Sequence, residues 1–358
     1  MRLGVIIPGG GMTIPEIVQV GRDAEAVGLD GVWVTEAWRS AFVPLTAIAA
    51  ATSRIAVGTY VINAYGRTPF ITAMSAVDLD EASGGRLVLG IGSGNRFTNL
   101  LYQGVPTERP LVKLREYVEL VKRFVRARPG DVVDYEGTIH SMTGCPPQVV
   151  PVRRDIPVYL AATFPGMRKV AGAVADGVAL GALHSVDYVE NVVKPAVAAA
   201  AEAAGRDPAT IVYAMPAFTS FGDDRAAARD AARRAICNLY APKPHPHYDF
   251  LLREQGFATV ADAVEREVHA GRPAAARRQV PDELLDALTA AGTRDECVRR
   301  LDDYRGVVDE LILMNVAAMK YREEESAPSD PTVVGAFRRL VELGAGLAGA
   351  AGTAAPTI

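Results

Sequence analysis

Cysteine is scarce in this 358-residue chain: Cys145, Cys237 and Cys297 are the only three, and no two form a CxxC pair. An odd, scattered set argues against a disulfide framework or a structural zinc site and fits a reducing cytoplasm. Neither sign of charge dominates, since 38 Lys and Arg face 42 Asp and Glu for a net charge of -4. A nucleic-acid surface would show a basic excess. No apolar stretch approaches the roughly 20 residues that span a bilayer. The N-terminal apolar run stops at Pro8, too short for a secretory core and without a cleavage pattern. HExxH, GxSxG and P-loop motifs are missing. His245 and His247 sit in a Pro-rich stretch without a third metal-type partner, so no metal is expected there.

What is present is an alternation. Short apolar runs at 3–7, 31–35, 55–61, 86–90, 158–161, 177–180, 211–218 and 310–314 read as strands. Helical spacing fills the gaps, over 13–27, 43–51, 69–82, 111–126, 166–174, 186–204, 226–240 and 294–305. Strands apolar on both faces imply a parallel sheet covered on both sides. Eight β/α units in one domain predict a (β/α)8 TIM barrel, with a doubly wound open sheet as the alternative. No GxGxxG fingerprint follows the first strand, and Gly9-Gly10-Gly11 reads as a flexible loop. Residues 1–346 are taken as a single domain with two insertions. One, near 129–156, carries a hairpin at 132–137; the other, near 241–281, carries Pro242, Pro244 and Pro246 and then more helix. Such insertions shape the mouth of a barrel or an oligomer contact. The Ala- and Gly-rich end from 343 reads as fraying, and 347–358 as a flexible tail.

In a barrel, function sits where strands end. After the second strand stand Glu36, Ala37 and Trp38: an acid/base group beside a stacking surface, or a surface carboxylate and a rim-filling indole. Asn63, past the third strand, suits a ring amide, or equally its own loop backbone. The fourth strand runs into Gly92, Ser93, Gly94 and Asn95, where glycines admit close backbone approach to a ligand. Ala161, Ala162 and Thr163 precede a helix start at Gly166 and Met167 with Arg168 close by, which suits an anion on a helix N-terminus; capping by Thr163 is the plainer reading. Gly181 and Ala182 repeat the pattern after the sixth strand, and His184 is open as a ligand contact, although lone histidines are more often structural. No cysteine has an activating neighbour, and Arg253, Glu254 and the run 322–325 read as solvated faces.

Two segments carry a resemblance. Asn63-Ala-Tyr-Gly-Arg-Thr-Pro-Phe-Ile-Thr-Ala73 and Ser83-Gly-Gly-Arg-Leu-Val-Leu-Gly-Ile-Gly-Ser-Gly94 resemble the luciferase-like superfamily, in particular its methylenetetrahydromethanopterin-reductase-like branch, which uses the deazaflavin coenzyme F420. Ile156-Pro-Val-Tyr-Leu-Ala-Ala162, Pro165-Gly-Met167, Ala175-Asp-Gly177 and Ala291-Gly-Thr-Arg-Asp-Glu-Cys297 are similar to the same branch. The resemblance implies a barrel with the cofactor ring at its C-terminal mouth. Glu36, Tyr60, Val61 and Asn63 would line the ring, Gly92, Ser93 and Gly94 would lie near its side chain, and Ala161, Ala162, Thr163, Gly166 and Met167 would cradle the phosphate, with Gly181 and Ala182 alongside. It also implies a bulge with a non-proline cis peptide, placed at Tyr60–Val61. Where many relatives have Asp-His after the second strand this chain has Glu36-Ala37; Ile6-Ile7-Pro8 and Asn95 replace acidic positions. The methanopterin substrate is therefore not carried over.

By this resemblance the chain is an F420-dependent oxidoreductase that exchanges a hydride with a small substrate, such as one with a C=N or conjugated C=C bond. Glu36 would be the acid/base or orienting group and Trp38 a wall. An FMN-dependent monooxygenase and a non-catalytic flavin-binding relative are the alternatives. A homodimer is expected, and neither nucleic acid nor membrane is an expected partner.

Overall fold

All eight expected strands form. The computed structural model describes residues 1–240, 246–316 and 329–352. The barrel strands are β1 (Arg2–Ile7), β2 (Gly31–Val34), β3 (Ala56–Thr59), β4 (Leu87–Gly92), β5 (Val158–Ala161), β6 (Gly177–Ala179), β7 (Val212–Phe221) and β8 (Glu310–Asn315). Each pairs in parallel with the next, and β8 pairs with both β7 and β1, so the sheet closes into a (β/α)8 barrel. Among the described residues no helix is long and apolar enough to cross a membrane.

Strand alternation puts one set of side chains under the helices and one inside the ring. The inner set takes one residue per strand in turn: Ile6, Trp33, Tyr60 just past β3, Val88, Tyr159, Ala179, Ala214 and Ile312. The Trp33 indole meets Tyr60 edge-on at 5.6 Å and stacks on Tyr159 at 6.0 Å. It fits only because its neighbours are glycines. A Cβ on Gly31 would lie 3.0 Å from the indole nitrogen, and one on Gly58 would collide with the six-membered ring. At the lower end, Tyr159 and Arg2 both donate to Oε1 of Glu310. The Glu310 carboxyl is pushed above its usual range, chiefly by burial.

Both insertions are present. The hairpin of Val133–Glu136 and Ser141–Cys145 is clasped by Glu116, whose carboxylate accepts the backbone N–H groups of Thr138, Ile139 and His140. The second insertion supplies helices Pro246–Glu254, Ala258–His269, Pro273–Arg278 and Asp282–Leu288, which pack with helix Arg225–Asn238 around a core of their own. Pro242, Pro244, His245, the run 322–325 and residues 353–358 lie outside the described residues.

Four features depart from the sequence reading. The expected helix 186–204 is interrupted by a π turn at Val189–Val193 just ahead of Pro195, whose missing N–H resets the hydrogen-bond ladder. Arg96–Gln103 is a helix, capped by Asn95 and stopped by Gly104 at φ +68. Ala290–Gly292 adds a short strand beside the overhanging end of β7. The reading of 347–358 as a flexible tail is corrected most: helix Pro331–Gly352 runs through its first half. Leu340, Leu343 and Leu347 share one face and are buried. Gly344 lets that face sit close, because a Cβ there would lie 2.9 Å from Leu29 Cδ2. Glycine in a helix looked like fraying; here it is a point of close packing.

Leu347→Ala is therefore expected to destabilise the protein by about 2–5 kcal/mol, as for other buried leucines. Urea denaturation checks this, and a midpoint equal to wild type would return the segment to a free tail.

Candidate functional site

The mouth is organised by a break in β3. Regular pairing stops at Thr59, the Tyr60–Val61 peptide is cis, and pairing with β4 resumes at Ile62–Asn63. The bulge and its cis peptide fall where the resemblance put them. Thr59 fills the gap in the ladder: its hydroxyl donates to the Gly90 carbonyl at 2.8 Å and accepts from the Gly90 N–H at 2.8 Å. The glycine run of β4 is explained by the same break. A Cβ on Gly90 would strike the Thr59 carbonyl, one on Gly92 would lie 2.5 Å from Val61 Cγ2, and one on Gly94, at φ +63, would lie 2.5 Å from Asn63 Nδ2. These glycines make room for the protein's own bulge, so ligand approach is not needed to account for them. Tyr60 turns down into the barrel, its hydroxyl held between the carbonyls of Leu180 (2.6 Å) and Ala214 (2.8 Å), so only its backbone can face the mouth. Val61 stays half-buried at the rim.

On the β2–β4 side the polar groups are already committed. Glu36 Oε2 accepts the Asn63 N–H at 3.1 Å, and Oε1 pairs with Arg67 at 2.9 Å. Arg67 in turn covers the Phe42 ring at 5.0 Å. The Asn63 side chain accepts from Tyr65 N at 2.9 Å and donates to Asn99 at 2.6 Å; the buried Asn99 donates to the Ser93 carbonyl and Thr107. This geometry favours the orienting role for Glu36, and one Asn63 N–H remains uncommitted. Trp38 is 76% exposed and leans on Tyr102 at 5.9 Å, which itself meets Phe97 edge-on. Arg67 was read from sequence only as part of the Asn63–Ala73 segment, and Asn99 was not singled out, because the helix Arg96–Gln103 that carries it was not expected.

The β5–β6 side differs. Arg168 is 1% exposed, and its guanidinium donates to the Thr163 carbonyl at 2.7 Å and to the Tyr188 hydroxyl at 2.8 Å. Its Nε has no partner, and among the described residues no carboxylate lies within ion-pair distance of it. The helix that carries it, Pro165–Val174, has Phe164 at its N-cap without a side-chain hydrogen bond, so Thr163 does not cap it. The guanidinium rests on the Tyr188 ring at 5.1 Å, so its charge is met by an aromatic face and by no carboxylate among the described residues; with the helix start it makes one positive site. Thr163, Gly166 and Gly181 are half-buried beside it, as is Ala161, whereas Ala162, Met167 and Ala182 point into the core and offer only backbone. Gly181, on the β5–β6 side, is not demanded by packing: a Cβ there would meet nothing closer than 3.7 Å, with Leu251, His184 and Thr163 around it.

Helix Pro246–Glu254 roofs this side. Gln255 donates to the Leu183 carbonyl and accepts the Ser185 N–H, both at 2.8 Å, and Phe164 packs on Phe250 and His247. His184 is fully buried, Nδ1 lies 2.8 Å from the Gly181 carbonyl, and Nε2 has no partner. Burial, aided by the Arg168 charge, lowers its pKa to about 4 against the effect of that hydrogen bond. Among the described residues no group of His, Cys, Asp and Glu converges to hold a metal.

A family model described as luciferase-like monooxygenase matches residues 1–310. The 5,10-methylenetetrahydromethanopterin reductase of Methanolobus tindarius is 33% identical over 292 residues, covering 80% of this chain and 86% of that protein. A putative coenzyme F420-dependent oxidoreductase of Mycobacterium tuberculosis is 31% identical over 302 residues, covering 78% and 84%. In fold, the chain resembles the coenzyme F420-dependent tetrahydromethanopterin reductase of Methanopyrus kandleri, with a TM-score of 0.78, 24% identity and coverage of 96% and 97%.

Gly92→Ala is expected to cost about 1–3 kcal/mol by overpacking Val61, whereas Gly10→Ala, where a Cβ meets nothing within 4 Å, shifts stability by less than about 0.5 kcal/mol. Chemical denaturation of the pair checks this; equal midpoints would mean that the bulge tolerates a side chain.

Proposed function

The chain belongs to the luciferase-like monooxygenase family, and within it we propose that this protein is an F420-dependent oxidoreductase acting on a small organic substrate with a C=N or conjugated C=C bond. The observation that carries this reading is the buried Arg168 cation, with no carboxylate partner among the described residues, beneath an uncapped helix start. An unpaired buried charge is costly, and a phosphate held at the rim would offset it. When bound, the deazaflavin supplies the hydride chemistry.

The residues of the chain would position that group. Gly166 and its neighbours present backbone N–H groups at the helix start, with Ala161, Ala162, Thr163, Met167, Gly181 and Ala182 forming the small-residue cradle around the phosphate. Tyr60, Val61 and Asn63 would set the plane of the ring from the bulge, and Gly92, Ser93 and Gly94 would flank it. Glu36 would hold that plane through the Asn63 N–H and Arg67, a positioning role. Trp38, on the exposed lip, would wall the substrate side. Accurate placement is the main contribution expected of such a site.

Two further readings accompany this. Val43, Ile71 and Met74 on helices Phe42–Ala51 and Pro69–Ala82 are exposed apolar residues and would form a homodimer contact. All three cysteines are free thiols, which fits the cytoplasm.

Fluorescence titration is expected to show F420 bound at least about tenfold more tightly than FMN, a difference of about 1.4 kcal/mol. Equal or tighter FMN binding would replace this reading with that of an FMN-dependent monooxygenase. Arg168→Met is expected to cost the fold no more than about 2 kcal/mol, since no buried carboxylate is left unpaired, while weakening F420 binding about tenfold or more. Gly181→Ala is expected to keep the wild-type melting temperature and lose affinity. Unchanged affinity in both variants would place the phosphate elsewhere.

A further inference from the structure

We propose that His184 is the proton-accepting wall of the anion seat: neutral in the free protein, it takes up one proton from solvent on Nε2 when a singly charged phosphodiester settles beside Gly181. This rests on the reading of the β5–β6 rim as the F420 phosphate site and adds that cofactor binding there is linked to proton uptake.

The geometry fixes the tautomer. Nδ1 lies 2.8 Å from the Gly181 carbonyl, which can only accept, so Nδ1 carries the hydrogen and Nε2 the lone pair. Nε2 is buried and has no hydrogen-bond partner among the described residues. The Cε1 atom between the two nitrogens bounds the space at Gly181, 3.8 Å from where a Cβ would sit. The loop is pinned so that the ring cannot swing away: Tyr304 donates to the His184 carbonyl at 2.7 Å, Gln255 holds the Leu183 carbonyl, and Leu183 sits at φ +69.

The surrounding charges explain why the ring waits unprotonated. From helix Pro165–Val174 it feels the Arg168 cation, the one charge that acts on it appreciably. Tyr188 offers a ring 5.8 Å away and Tyr304 a neutral phenol. Asp187, Glu190 and Glu254 point to solvent, and Asp249 is paired with Arg253 at 2.8 Å. Among the described residues no carboxylate therefore favours the imidazolium. An anion beside Gly181 reverses the balance, because it offsets Arg168 and attracts a charged imidazole. The proton adds to Nε2, Nδ1–H stays on the Gly181 carbonyl, and no bond of the ligand changes. A phosphodiester keeps one charge across the working range, so the proton is not taken by that group, and the phosphate-free nucleoside below controls for the ring.

The sign follows from linkage. The free-state pKa is about 4 and the bound-state value is raised, so affinity is highest at low pH and falls as pH rises toward and through the bound-state value. Isothermal titration of the whole protein with F420, in two buffers of different ionisation heat between pH 5.5 and 8, is expected to show proton uptake and a loss of affinity of about fivefold or more over that range. The phosphate-free deazaflavin nucleoside is expected to bind without proton uptake. His184→Asn, whose amide can still donate to the Gly181 carbonyl, is expected to bind F420 with pH-independent affinity. NMR of the labelled Cε1 carbons of the five histidines is expected to show one ring become charged on F420 binding; this keeps the test decisive even if the variant misfolds. Wild-type F420 binding that is flat in pH with no proton uptake overturns the linkage and leaves the cofactor reading standing. Uptake that persists in His184→Asn, or with the phosphate-free nucleoside, also overturns it. No F420 binding at any pH overturns both.

Discussion

The Trp33 indole is the constraint from which the site follows. Eight strands each send one side chain inward, and an indole of that size is admitted only because Gly4, Gly31 and Gly58 stand around it. Tyr60 and Tyr159 pack against it, and the residues of this inner cluster are buried. An inner ring occupied by these side chains directs attention to the rim, to groups the strand ends leave available.

The two sides of that rim are built on opposite principles. From β2 to β4 the polar groups satisfy one another: Glu36 with Arg67 and the Asn63 N–H, Asn63 with Asn99, Asn99 with Ser93 and Thr107. That network, which leaves one Asn63 N–H uncommitted, holds the bulge in place through contacts within the protein. From β5 to β6 the accounts are left open. Among the described residues Arg168 has no counterion, Nε2 of His184 has no partner, and the helix start has no side-chain cap. One side acts as a template and the other as a receptor, which suits a ligand with a rigid ring and a charged tail.

The barrel was legible in the sequence because strands covered on both faces must be apolar throughout, and eight such runs separated by helical spacing leave few other arrangements. The rim was legible only as a list of small residues. Gly92 and Gly94 looked like openings for a ligand, and their actual neighbours are Val61 and Asn63, brought there by a backbone break that leaves no periodic signal. Gly344 was misread for a related reason: glycine weakens an isolated helix, and only a tertiary partner such as Leu29 shows why the helix keeps it. Arg168 was visible as a residue near a helix start, but its lack of a counterion is a fact of three-dimensional placement.

The side chain of Thr59 has an effect that reaches beyond the strand it mends. By standing in for both halves of a missing ladder contact, it satisfies the Gly90 amide and carbonyl at the notch without water. Whatever rests on Val61 therefore has hydrocarbon and aromatic rings beneath it in place of solvent. Over such a weakly polarisable floor the fields of nearby dipoles and ions decay slowly, and a few fixed groups at the edge can govern the electrostatics of the entire opening.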